Sequence, residues 1–369
     1  MFRYTSTVCR KCHLQEDPFH GITIDAQGLC TLCAKNDVPP PKDWDALGKL
    51  FEDLLLRVRG YLPYEGLIML SGGKDSAYMA HLLKNSYGMN LLGFIIDINY
   101  EYPETFDNAK AIAHKLGIPY VIYRQDPELM RSYYRFLFCE ESIRQEDCGQ
   151  ICTFCGRFLI RTAADFARAM GIPLVISGHN PDQILLMGQS IETAETHREF
   201  MEFTMELVAE DTAKAVAAWK RAHGPCALPL FPQKLAPDGV KLVFPYQHFP
   251  YSPEEMMRTV KEKLGWTPIK RFSKTYIASG CSLVKLWSYL AHCGNTNSYV
   301  DFEFSNQVRG GVLSLDTVQR FYADADTNCE ELAALVRELD MVEDMRRLLR
   351  ERAGEDNRLL RLLSAPTEN

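Results

Sequence analysis

The run Leu67 to Leu70 (LIML) opens directly into Ser71-Gly72-Gly73-Lys74-Asp75-Ser76 and then into AYMAHLLKNSYG. A short apolar strand, two glycines and a helix start in that order predict one unit of an α/β sheet. The glycines let the backbone come close to a ligand, and successive N–H groups at the helix start make a cradle for an anion. Lys74 adds a point charge suited to phosphate, and Ser71 and Ser76 add hydroxyls. The turn is not a Walker A loop, which needs Gly where Ile68 stands and Ser or Thr where Asp75 stands. Nor is it a GxGxxG dinucleotide turn.

The surrounding pattern repeats the unit. Apolar runs at Leu91 to Ile98, Tyr120 to Tyr123 and Leu174 to Ser177 alternate with helical patterns at Pro103 to Leu116 and Arg157 to Met170. Uninterrupted apolar strands between helices imply a parallel sheet covered on both faces, with ligands bound beyond the carboxyl ends of the strands. Polar groups follow three of these runs: Ser71 onward, Asp97, and Gly178-His179-Asn180. A proline-rich stretch, Val38-Pro39-Pro40-Pro41, separates this core from a cysteine-bearing start. The expected division is 1-40, 44-250 and 251-369, the last mostly helical. Its final amphipathic helices read as a packed, solvated tail, with a homodimer contact as the alternative.

The run IMLSGGKDSAYMAHLL resembles the signature of the PP-loop (N-type) ATP pyrophosphatases. That resemblance implies an adenine nucleotide alpha-hydrolase-like α/β fold and cleavage of ATP to AMP and pyrophosphate. It implies that Ser71, Gly72, Gly73, Lys74, Asp75 and Ser76 hold the leaving pyrophosphate, that Asp75 helps place Mg²⁺, and that Asp97 lies near the nucleotide. Cys152-Thr-Phe-Cys155-Gly, followed by a helix, a strand and Gly178-His179-Asn180-Pro-Asp182, is similar to the CxxCG…GHNxDD pattern of tRNA-thiolating PP-loop enzymes. Gln183 stands where that pattern has its second Asp, which leaves open any role of a carboxylate pair. His179 reads either as a nucleotide-site residue or as a satisfied structural histidine.

Twelve cysteines are many for a chain whose opening, MFRYTSTVCRKCH, has no apolar h-region. No stretch approaches the length of a membrane span, so a soluble cytoplasmic protein with no membrane partner is expected, with its paired cysteines on metal. Cys9-x2-Cys12-x17-Cys30-x2-Cys33 has the spacing of a closed four-thiolate Zn²⁺ knuckle, structural or substrate-docking in role. Its sequence GITIDAQGLCTLC also looks like the N-terminal module of PP-loop N-acetyl sugar amidotransferases, and SNQVRGGVLSLDTV with Arg309 faintly resembles their C-terminal part. In the thiolating relatives a CxxC pair and a later cysteine hold a [4Fe-4S] cluster. Carried over, that implies Cys152 and Cys155 with Cys281 as third ligand and Cys148 as rival. A second zinc site or a persulfide-carrying redox pair are the alternatives.

The expected function is adenylation of a substrate carbonyl oxygen by ATP, then its replacement by sulfur, with Lys74, Asp75, Cys152 and Cys155 as the catalytic set. One alternative uses ammonia on an N-acetyl sugar nucleotide, which needs a glutaminase partner subunit in place of a sulfur donor. The other is a non-catalytic zinc-bearing nucleotide-binding protein. A basic stretch (Arg258, Lys261, Lys263, Lys270, Arg271, Lys274) suits a phosphate-rich substrate or simply a solvated helix face. The net charge of −7 argues against a protein that coats nucleic acid without specificity, and leans towards a small molecule over tRNA.

Overall fold

The computed structural model describes residues 7–35, 42–61, 63–144, 150–186, 197–225, 230–273, 280–325 and 327–365. The chain divides into two compact units. One comprises Pro40–Gln125 and Cys152–Pro268, the other Met1–Pro39, Asp126–Ile151 and Ile269–Asn369. The division expected from the sequence was contiguous, and these units are not. Residues 251–268 fall with the sheet.

The first unit is built on five parallel strands: β1 (Gly66–Met69), β2 (Leu91–Asp97), β3 (Tyr120–Arg124), β4 (Leu174–Ser177) and β5 (Lys241–Val243). Their order is β3-β2-β1-β4-β5, so the chain runs outward from β1 in one direction and then returns to its other side. That reversal makes the β1–β4 boundary the place where a ligand crevice forms in open α/β sheets. Leu67 and its neighbour Ile68 are both fully buried. Adjacent strand residues point to opposite faces, so both faces of the centre are covered. On one face Leu67, Leu92, Phe94 and Val175 pack against Ala163, Ala164 and Ala167 of the Gln150–Ala169 helix. The helices Lys74–Asn85, Pro103–Leu116 and Pro253–Leu264 pack on one another. β3 is an edge strand rather than a buried one: Tyr120 is 40% exposed and Ile122 46%.

In the second unit the cysteine module has little regular structure beyond three isolated antiparallel bridges and the short Thr31–Lys35 helix. Its small core of Cys9, Cys12, Leu14, Ile22, Cys30 and Cys33 is completed by Phe302 and Val308 of the Tyr299–Arg309 helix. Asn297 seals the contact. Its backbone N–H and side-chain amide donate to Asp17 Oδ2 at 2.7 and 3.1 Å, and its Oδ1 accepts from the Gln15 N–H at 3.1 Å. The closing helices Cys329–Glu338, Val342–Ala353 and Arg358–Ser364 bury a leucine-rich face against each other, as their amphipathic pattern predicts. Among the described residues no helix is long and apolar enough to cross a membrane.

Candidate active site

The turn after β1 is shaped by what its backbone touches. Gly72 has φ +71°, and a Cβ there would lie 2.0 Å from the carbonyl oxygen of Thr105. Only glycine fits. A Cβ on Gly178, just past β4, would come within 2.8 Å of Ser76 Cα. The β4 turn therefore lies directly against the loop, as the parallel register Met69↔Ser177 requires. The Ser76 hydroxyl faces inward, where it accepts from the Ser71 N–H at 3.2 Å and donates to the Gly73 carbonyl at 3.2 Å. Gly73 caps the Lys74–Asn85 helix without a side chain, and the first N–H groups of a helix have no partners within it. The loop is thus an amide-lined cradle at the positive end of a helix.

Lys74 is buried at 5% exposure. Its Nζ donates to Asp75 Oδ2 at 3.0 Å and to the Tyr251 hydroxyl at 3.2 Å, while that hydroxyl donates to Asp75 Oδ1 at 3.0 Å. The Tyr246 hydroxyl donates to the Asp75 carbonyl at 2.9 Å, and Trp266 Nε1 donates to the Gly72 carbonyl at 2.9 Å. Burial, reinforced by the Asp75 charge, holds the Tyr246 hydroxyl well above its ordinary range, so it stays a donor. The reading of the sequence missed these three aromatic residues. The only sequence signal for Tyr246 and Tyr251 is the aromatic run FPYQHFPY, which has no periodicity, and Trp266 lies outside it.

Asp97 ends β2, accepts from the Asn99 N–H at 2.8 Å and pairs with Arg124 at 3.3 Å. Glu101 lies one turn further on. Its carboxyl is pushed up to about 8 by burial, with help from the negative charge of Asp97. No motif marked it, yet it is a near-neutral carboxylic acid at the carboxyl end of a central strand. His179 is hydrogen-bonded to the Ser177 hydroxyl, and burial lowers it to about 4. A neutral imidazole offers a phosphate a hydrogen bond but no charge. Asn180 is fully buried and starts the Pro181–Leu186 helix. Its Oδ1 accepts from the Gln183 N–H at 2.9 Å while Gln183 Oε1 accepts from the Asn180 N–H at 3.2 Å. The residue that departs from the GHNxDD pattern therefore closes a reciprocal helix cap, a task glutamine performs without charge. The side chain of Asp182 lies outside the described residues.

The four knuckle thiols are brought together: Cys9, Cys12, Cys30 and Cys33 are buried, and their sulfurs all lie within 4.8 Å of one another. Four thiolates around one zinc, with Zn–S bonds of about 2.3 Å, lie roughly 3.8 Å apart, so the set suits a tetrahedral ion. Without a cation the sulfurs share protons unequally. The hydrogen bond from Cys30 draws Cys12 down to about 4, the same bond pushes Cys30 up, and burial lifts Cys33 to about 12. A divalent ion held there would resolve that competition by its charge. The backbone N–H of Cys30 donates to Cys9 Sγ at 3.2 Å, so the main chain helps to orient one of the four sulfurs.

Cys152 and Cys155 sit three residues apart near the start of the Gln150–Ala169 helix, half-buried, in the sheet unit. Cys281 caps the Ser282–Cys293 helix in the other unit. Cys148 and Lys274 lie outside the described residues. Arg157, two residues after Cys155, is buried and donates to the carbonyls of Pro232 and Gln233 at 2.9 and 3.0 Å. It ties the cysteine end of the helix to the 230–235 loop.

Residues 66–156 match the family of the phosphoadenosine phosphosulfate reductase domain. An uncharacterised protein of Methanocaldococcus jannaschii is 26% identical over 160 residues, 43% of this chain and 53% of that protein. Cytoplasmic tRNA 2-thiolation protein 1 of Saccharomyces cerevisiae is 29% identical over 122 residues, 31% of this chain and 32% of that protein. The chain thus spans about half of the first relative's length and a third of the second's. Among solved structures, the U34-tRNA thiolase of Methanococcus maripaludis, described with its [4Fe-4S] cluster, aligns at 16% identity and a TM-score of 0.33. That alignment covers 84% of this chain and 86% of the other. The segment matched by that family, 66–156, is the one that carries the glycine cradle at the carboxyl end of β1.

Proposed function

We propose that this chain is an ATP-dependent adenylating enzyme that activates a carbonyl-type oxygen of its substrate and replaces it with sulfur. The observation that carries the reading is the loop itself: a glycine turn too crowded for a Cβ, against a second strand-end turn, at the start of a helix. In the reaction the substrate oxygen attacks the α-phosphorus of ATP, the new O–P bond forms, and the bond to the β-phosphate oxygen breaks. Pyrophosphate leaves with AMP on the substrate. The loop amides and Lys74 hold the charge that collects on the pyrophosphate, which is where preorganised donors accelerate transfer. Asp75 supplies a carboxylate for Mg²⁺, and Asp97 and the Gly178–Asn180 turn border the nucleotide. The adenylated carbon then has a good leaving group, and sulfur displaces AMP.

Cys152 and Cys155 supply two soft ligands on one helix face, and an iron–sulfur cluster needs a third from Cys281 or Cys148. Such a cluster would supply an iron with an open position able to carry sulfur. A tRNA substrate accords with the tRNA 2-thiolation for which the yeast relative is named, and a small molecule accords with the acidic net charge.

A second reading, transfer of ammonia to an N-acetyl sugar nucleotide, is favoured by one observation. The cysteine module and Val308, which belongs to the 305–318 segment that resembles those amidotransferases, share one core. Incubation with radiolabelled ATP, Mg²⁺ and an acceptor separates the readings. Sulfide with unmodified tRNA, or ammonia with UDP-N-acetylglucosamine, should give AMP and pyrophosphate in one arm only, and Lys74→Ala should abolish it. Release of ADP and phosphate instead would refute adenylation.

A further inference from the structure

Lys74, Asp75 and Tyr251 form a closed ring of hydrogen bonds. Lys74 Nζ donates to Asp75 Oδ2 at 3.0 Å and to the Tyr251 hydroxyl at 3.2 Å, and Tyr251 donates to Asp75 Oδ1 at 3.0 Å. The ammonium also lies 5.8 Å from the centre of the Tyr251 ring. Both oxygens of the one carboxylate in the loop are therefore engaged, one of them by a buried cation. A divalent ion reaches Asp75 only when Lys74 lets go. A triphosphate is the group that makes it do so, because an ammonium gains more from a multiply charged phosphate than from one carboxylate.

We propose that Tyr251 is a positioning residue that couples nucleotide binding to cation binding in this loop. The coupling rests on the reading of residues 71–76 as the ATP site. As Lys74 turns to phosphate, Oδ2 of Asp75 is released for the ion that accompanies the nucleotide. The Tyr251 hydroxyl stays on Oδ1 and keeps the carboxylate aimed. Tyr251 can do this because it is itself held. It is 9% exposed, its ring packs edge-on against Tyr246 at 5.2 Å, and it directly precedes the Pro253–Leu264 helix, which packs on the helix that Lys74 begins. Tyr246 and Trp266 anchor the same segment to loop carbonyls, so the strap as a whole does not depend on Lys74.

The test is Mn²⁺ binding followed by electron paramagnetic resonance, without nucleotide. Lys74→Met should bind Mn²⁺ about tenfold more tightly than the native chain, within the usual range of coupling between sites. The gain should vanish in Lys74→Met/Asp75→Asn and shrink severalfold in Lys74→Met/Tyr251→Phe. A role for Tyr251 in folding alone would lower stability without moving the ion's affinity in this pattern. Lys74→Gln serves if the methionine variant does not fold. Equal Mn²⁺ affinity in Lys74→Met and the native chain overturns the proposal. So does a Tyr251→Phe double variant that binds as tightly as Lys74→Met. A separate titration of the native chain with α,β-methylene-ATP judges the ATP site: failure to bind refutes that reading, while the Mn²⁺ series still decides whether Lys74 and Tyr251 control Asp75.

Discussion

The cysteine knuckle and the glycine loop after β1 are both short and tight, yet they are held in opposite ways. The knuckle is tied by scattered antiparallel backbone bonds rather than a sheet, and four buried thiols converge within 4.8 Å of one another, a set that suits a metal ion. The loop has no such centre. It is locked by backbone contact, with Gly72 under Thr105 and Gly178 against Ser76, and by aromatic donors on its carbonyls. On the reading of the four thiols as a zinc site, the first region depends on an ion that a chelator can remove. The other depends on the close fit of its backbone.

The largest expected effect follows from the knuckle. Cys33→Ser, or extraction of the ion at neutral pH, should release one zinc per chain and unfold the module. Structural zinc is worth roughly 10–16 kcal/mol in isolated finger peptides. Calorimetry should then show loss of a transition, while α,β-methylene-ATP affinity is retained. Loss of both together would erase the contrast. Next comes Gly72→Ala, which adds a clash to a left-handed backbone and should cost about 2–4 kcal/mol, with nucleotide binding lost. A fully stable Gly72→Ala would mean that shape does not lock the loop.

A smaller effect is confined to acid. His179 falls to about 4 from an ordinary 6.5, so its contribution to stability is complete above pH 6.5 and is lost as pH falls towards 4. Thermal unfolding midpoints measured from pH 7 to 4 should decline less steeply in His179→Asn than in the native chain. The smallest stability effect should come from Cys152→Ala, a half-buried helix position where alanine is the better helix former. A change under about 1 kcal/mol is expected, alongside loss of sulfur transfer.

The same contrast explains what could be seen in the sequence. The knuckle was legible because CxxC…CxxC spacing fixes side chains that meet locally. The loop was legible because strand, glycines and helix start are consecutive residues. Tyr251 and Trp266 were not, since they reach the loop from 177 and 194 residues away, and no periodicity connects them to it. The discontinuous units escaped for the same reason, with Phe302 and Val308 completing a core begun at Cys9. Glu101 escaped because its shifted proton affinity comes from burial, which one sequence does not display. Spacing could not show, either, that the second CxxC pair would lie on a helix rather than in tight turns.

Sulfur chemistry at Cys152 and Cys155 is the central claim, and metal analysis tests it most directly. The chain should be purified without oxygen, its visible spectrum recorded, and iron, sulfide and zinc counted per chain. A brown protein with broad absorption near 400 nm, about four irons and one zinc is predicted, the iron and colour lost in Cys152→Ala and the zinc kept. A colourless chain that holds only zinc even after cluster reconstitution would contradict the iron–sulfur account and favour nitrogen transfer.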